Sequence, residues 1–146
     1  MPSSHKAKQA ILSLLPDEFQ GNIYELGSGW GTLLVHLAMK FPDSQVLGFE
    51  TSPLPYYLSK LRLQGKNNSN VSVVKLDFFS MPLGEADLIV CYLYPGAMSR
   101  LKSKFETELK PGTLIVSNTF AIPGWTPEKV IEVNDLYKTK VYLYRN

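Results

Sequence analysis

A doubly wound α/β architecture, with a mostly parallel sheet and an antiparallel carboxyl-terminal edge, follows from three features of the sequence. Short strand-like runs alternate with helical ones along nearly its whole length. A glycine-rich turn, Gly27-Ser28-Gly29, separates the first such strand from the helix after it. Ala86–Leu93 (ADLIVCYL) is almost continuously apolar, as expected of a central parallel strand covered on both faces.

Each element has its own warrant. Ile11, Leu14 and Leu15 share one face of an amphipathic first helix. Asn22–Leu26 (NIYEL) reads as a strand, and Leu33, Leu34, Leu37, Ala38 and Phe41 recur at helical spacing until Pro42-Asp43. Gln45–Phe49 is the second strand. Thr51 or Ser52 caps a third helix that takes Pro53 and Pro55 in its first turn, buries Leu54, Tyr57, Leu58 and Leu61, and closes at Gly65. Val71–Leu76 and Ala86–Leu93 are the third and fourth strands, with only a short segment between them. A helix from about Ala97 to Leu109 turns Met98, Leu101, Phe105 and Leu109 inward and stops at Pro111-Gly112. Thr113–Phe120 is the fifth strand, and Lys129–Val133 and Thr139–Arg145 pair around Asn134-Asp135. Helix-linked strands imply parallel pairing with right-handed crossovers.

Composition narrows the function. A chain of 146 residues, 45% hydrophobic and 19% charged, reads as a single domain spanning residues 1–146. The net charge of +2, without any like-charge block, argues against a nucleic-acid binder. One cysteine, Cys91, excludes an internal disulfide, and with only His5 and His36 no Cys/His metal site is expected. The longest apolar run, Leu88–Met98, is broken by Pro95 and Gly96 and is too short to span a bilayer. Ala10–Leu15 is about half the length of a signal-peptide core, so no export signal is expected and a cytoplasmic location is.

Three acids end or follow the first three strands, on the sheet edge where such folds bind ligands. Glu25 opens Glu25-Leu26-Gly27-Ser28-Gly29-Trp30-Gly31. A dinucleotide fingerprint would place its third glycine at position 32, which is Thr32, so the loop is not set to cradle a phosphate. Its acid faces a cationic or amino-acid-like group instead. Glu50 is placed to accept two hydrogen bonds from ribose hydroxyls. Asp77, followed by Phe78, suits an adenine amino group and its flat face. Each residue alone also has a plain structural reading: a tight turn, a helix-dipole partner, a turn acid beside core aromatics.

Together, YELGSGWG, GFE and LDFF resemble the first three motifs of the class I S-adenosylmethionine-dependent methyltransferases, which share a Rossmann-like sheet. The sequence from Ala86 to Val130 is similar to the small protein-lysine methyltransferases that include those modifying the mitochondrial ATP synthase c subunit and the adenine nucleotide translocase. The most specific pieces are Pro95, Met98 and Leu101, and the Phe120-x-x-Pro123-x-Trp125-x-Pro127 segment. The resemblance implies S-adenosyl-L-methionine as cofactor, held by Glu25, Gly27, Ser28, Gly29, Gly31, Glu50, Thr51, Asp77 and Phe78. It implies a protein lysine as acceptor, with a small molecule or non-catalytic cofactor binding as the alternatives. Trp30 stands where the family usually carries Asp, and the hydrophobic amino-terminal segment of the organellar members is not found in the sequence.

Methyl transfer needs no metal and no covalent enzyme nucleophile, only placement and exclusion of water. Tyr92 and Tyr94 are the catalytic candidates, with Pro95 shaping the rim; equally, alternating tyrosines simply pack on a sheet. Trp125 either walls the same pocket or caps the sheet edge. No Asn-Pro-Pro-Tyr follows the fourth strand, which disfavours nucleobase and glutamine acceptors. Cys91 reads as core packing, His36 carries no assigned role, and Arg100, Lys102 and Lys104 read as a solvated helix face.

Overall fold

The computed structural model describes residues 4–64 and 69–146. Helix α1 (His5–Leu14) is capped by Ser4, whose Oγ accepts from the Ala7 N–H at 3.1 Å. There follow β1 (Asn22–Leu26), α2 (Thr32–Lys40), β2 (Gln45–Phe49), α3 (Pro53–Leu63) and β3 (Val71–Val74). A single 3-10 turn (Phe78–Ser80) replaces a crossover helix before β4 (Leu88–Cys91). The chain continues through α4 (Pro95–Glu108), β5 (Leu114–Asn118), β6 (Lys129–Glu132) and β7 (Lys140–Arg145). Gly65, expected to close α3, lies outside the described residues.

The sheet runs β3-β2-β1-β4-β5-β7-β6. The first five strands in that order are parallel, and β7 and β6 add the antiparallel edge. Residues from α1, α2 and α3 pack on one face, where Ile11, Leu34, Leu37 and Phe41 are buried. α4 covers the other with Met98, Leu101 and Phe105. All residues of β4 and β5 are buried, the pattern expected of strands covered on both sides. Register then sets the site. Leu26 pairs with Phe49 and with Cys91, so Gly27, Glu50 and Tyr92 leave the sheet side by side.

Two sequence expectations need correction. The apolar face assigned to α3 is turned outward: Leu54, Tyr57 and Leu61 are 62%, 60% and 63% exposed, and Leu58 is also exposed. Tyr56 and Leu63 pack on the core instead, and Ser59 is fully buried. The Ser59 hydroxyl donates to the Gly29 carbonyl at 2.6 Å, and this contact with the glycine loop fixes which side of α3 faces inward. The basic run on α4 is not merely solvated either. Lys104 bridges Glu108 at 2.7 Å and donates to the Phe79 carbonyl at 3.3 Å, while the Arg100 guanidinium lies 3.8 Å above the Phe79 ring. α4 is thereby tied to the 3-10 turn.

Candidate active site

Gly27, Gly29 and Gly31 all have positive φ, at +73°, +56° and +80°. Their reasons for being glycine differ. A Cβ on Gly31 would come within 2.9 Å of Ser59 Oγ, so this residue lets α3 approach the loop. A Cβ on Gly29 would meet nothing within 4 Å, because that side of the loop opens onto a cleft. Gly31 does not line that cleft. The loop amides are engaged internally: Ser28 N–H donates to the Phe49 carbonyl at 2.9 Å, Gly29 N–H to Glu50 Oε1 at 2.7 Å, and Gly31 N–H to the Ser28 carbonyl at 3.1 Å.

The cleft has a volume of about 470 Å³ and is bounded by the glycine loop, Glu25, Glu50, the start of α3, the end of β4 with Tyr92, and α1. Glu25 is only 5% exposed, and neither its Oε2 nor the buried Ser28 Oγ has a hydrogen-bond partner within the chain. Burial, and secondly the nearby Glu50 carboxylate, push the Glu25 pKa well above the usual carboxylate range. A carboxyl left unsatisfied at a cleft wall calls for a cationic donor from outside the chain. The ammonium of an amino-acid-like ligand supplies one, so the donor set fits the expected cofactor.

A second cleft, of about 350 Å³, shares Gly27 and Glu50 with the first and adds Thr51, Asp77, Phe78, Phe79, Tyr94 and Arg100. Glu50 stands between the two. Its Oε1 holds Gly29 N–H and its Oε2 accepts from Ser52 N–H at 2.9 Å, which fastens the glycine loop to the start of α3. A carboxylate offers about four acceptor positions, so two remain for ligand hydroxyls. Asp77 is exposed, and its Oδ1 accepts from Phe79 N–H at 3.0 Å, which caps the 3-10 turn and leaves the second oxygen to the cleft. The buried Phe78 lines the same cleft, its ring 4.6 Å from that of Phe79.

The aromatic candidates are not brought together. Tyr92 lines the first cleft and Tyr94 the second, while Pro95 begins α4 beside them. Trp125 lies elsewhere. Its ring packs 6.3 Å from Phe105 and 6.1 Å from Tyr144, and its Nε1–H donates to Glu106 Oε1 at 3.3 Å. Glu106 is about 16 Å along α4 from Pro95, at about 1.5 Å per residue, so Trp125 closes the sheet's second face and does not wall the cleft. Cys91 is buried with its thiol pushed up to about 12, which suits packing and not nucleophilic chemistry. His36 is exposed and its Nδ1 contacts the Thr32 carbonyl at 2.8 Å. Sequence reasoning missed Lys8 and Ile11, which α1 contributes to the first cleft, and Arg100 at the second. Among the described residues no cluster of His, Cys, Asp and Glu is placed to hold a metal, and no helix is long and apolar enough to cross a membrane.

Residues 25–129 match the ANTKMT methyltransferase domain family. A protein-lysine N-methyltransferase of Saccharolobus islandicus (strain REY15A) is 32% identical over 99% of this chain and 91% of its own length. The adenine nucleotide translocase lysine N-methyltransferase of Mus musculus is 26% identical over 88% of this chain, which spans 56% of that protein. In fold, the chain is similar to an RNA methyltransferase from Salinibacter ruber crystallised with S-adenosyl-L-homocysteine, with a TM-score of 0.89, 24% identity and coverage of 99% of this chain and 93% of that one. With its glycine loop, strand-end acids and fourth strand all inside the matched span, the chain belongs to the ANTKMT methyltransferase domain family.

Proposed function

We propose that this methyltransferase moves the methyl group of S-adenosylmethionine onto a lysine amine of a protein, with residues 1–146 serving as one cofactor-binding domain. The observation that carries the cofactor reading is the buried Glu25 carboxyl, unsatisfied at the wall of a cleft that begins at the glycine loop. The lysine acceptor is supported by the relatives named above. When bound, S-adenosylmethionine supplies a methyl carbon on a positively charged sulfur, open to in-line displacement by an amine.

The chain's own residues bind and orient. Glu25 and Ser28 hold the amino-acid end at the glycine loop, where Gly27 and Gly29 keep the approach clear. Glu50 receives the ribose hydroxyls, and Thr51, Asp77 and Phe78 form the adenine side. Tyr92 in the first cleft and Tyr94 in the second, on either side of Leu93 just after β4, meet the acceptor from two sides beside Pro95. A lysine reacts only as the free amine, whose reference pKa is about 10.4, so desolvation there must outweigh cation–π attraction for the ammonium.

Incubation with labelled S-adenosylmethionine and candidate protein substrates, followed by mass spectrometry, tests the reaction. Methyl-lysine in a protein supports it; label confined to small metabolites or to RNA overturns the lysine assignment. Glu50→Ala should weaken S-adenosylhomocysteine binding by about 1–3 kcal/mol, the scale of charge-assisted hydrogen bonds. Unchanged affinity by calorimetry in the folded variant would remove Glu50 from the site.

The aromatic residues separate by readout. Tyr92→Ala and Tyr94→Ala should lower kcat far more than cofactor affinity, the pattern of lost acceptor placement. Trp125→Ala should instead cost about 2–3 kcal/mol of stability, below the full range for a buried aromatic because the indole is only half-buried. Denaturant melts alongside kcat distinguish them. Normal turnover in both tyrosine variants would place the acceptor elsewhere.

A further inference from the structure

The amino-acid end of S-adenosylmethionine carries an ammonium and a carboxylate on one carbon, and Glu25 answers only the ammonium. A carboxylate on that carbon must lie in the same cleft. Three of the loop amides are already engaged: those of Ser28, Gly29 and Gly31 donate to the Phe49 carbonyl, Glu50 Oε1 and the Ser28 carbonyl. A full negative charge is matched best by a side-chain cation, which neutral amides do not supply.

Among the residues lining this cleft, the one cation is Lys8. It is half-buried, and no hydrogen bond or ion pair occupies its ammonium among the described residues. Its neighbour Lys6 points away, donating to the Asn134 carbonyl at 2.7 Å. The backbone beneath Lys8 is held firmly: Ala7, Ile11 and Leu14 are 3%, 1% and 7% exposed, and Ile11, one turn on, lines the same cleft. A half-buried cation lining the same cleft as an unsatisfied acid matches a zwitterion.

Taking this cleft as the S-adenosylmethionine site, we propose that Lys8 binds the cofactor's carboxylate and that Lys8 and Glu25 together recognise its amino-acid end. Ser28 Oγ, buried and unpartnered, is a second donor to the same carboxylate. α1 thus becomes part of the cofactor site as well as of the core, and the chain discriminates against ligands that keep the amine but lack the acid.

Calorimetry of the whole chain with S-adenosylhomocysteine and with its decarboxylated counterpart tests this. Wild type should prefer the intact ligand by roughly 10- to 100-fold, the equivalent of one charge-assisted hydrogen bond. Lys8→Met should weaken intact S-adenosylhomocysteine by a similar factor and leave the decarboxylated compound within about twofold. Lys8→Arg, which keeps the charge, should retain most of the preference. Equal losses for both ligands in Lys8→Met would mark Lys8 as merely structural, and no loss for either would remove it from the site; each overturns the proposal. Wild type binding neither ligand would instead overturn the cofactor reading itself.

Discussion

Glu25→Gln is expected to stabilise the ligand-free chain at pH 7–8 while weakening S-adenosylhomocysteine by more than about tenfold. Both effects come from one unsatisfied buried carboxyl. Burial, and then Glu50, raise its folded-state pKa well above the ordinary 4.5, so the native chain retains a proton that the unfolded chain has already released. The favourable contribution of the protonated form is complete below about pH 4.5 and is lost as pH rises through the folded-state pKa. Glutamine has no proton to lose and avoids this penalty, with an expected gain of about 1–3 kcal/mol at pH 8 that vanishes near pH 4. With the cofactor's ammonium in place the preference reverses, because the charged carboxylate then has its partner. Binding to wild type should accordingly release protons in the window above pH 4.5, seen as a dependence of the titration heat on buffer ionisation enthalpy. Thermal melts at pH 4 and pH 8, with and without ligand, check both signs. A variant no more stable than wild type at pH 8, with undiminished affinity, would show that Glu25 serves only the fold.

Much of this site was legible because strand ends carry it. β1 and β2 occupy the spans expected from their apolar alternation, and parallel register brings the residues after β1, β2 and β4 to one edge. Acids at those ends therefore converge whatever the helices do. β3 and β4 are shorter than their apolar runs, and of the residues released, Leu76, Tyr92 and Leu93 line a cleft. What sequence could not show is how elements turn toward one another. The stripe of Leu54, Tyr57, Leu58 and Leu61 has helical period, yet Ser59 decides which face of α3 is buried through its bond to Gly29. Trp125 follows β5 closely in sequence, but its loop returns along α4 to Glu106 and Phe105, away from the two clefts. Lys8 belongs to a helix whose apolar face explains its packing fully, so its cleft-facing side left no trace in the apolar pattern.

Gly29 and Gly31, two residues apart, should fail in opposite ways when given side chains. Gly29→Val is expected to abolish S-adenosylhomocysteine binding while leaving the sheet folded. Its φ of +56° strains a β-branched residue, at a cost of roughly 1–2 kcal/mol, and a Cβ there meets nothing within 4 Å. That leaves the cleft as the space it enters. Gly29→Asn separates strain from obstruction, because asparagine accepts a left-handed backbone with little penalty. It should melt near wild type and still lose binding. Gly31→Val has the reverse signature: its Cβ falls 2.9 Å from Ser59 Oγ and 3.0 Å from Ser59 Cβ, so α3 must shift and stability should drop by about 1–3 kcal/mol or more. Chemical denaturation and calorimetry on the three variants distinguish ligand approach from helix packing. Wild-type affinity in Gly29→Asn would mean that the glycine loop is only a turn and that the cofactor approaches from another side.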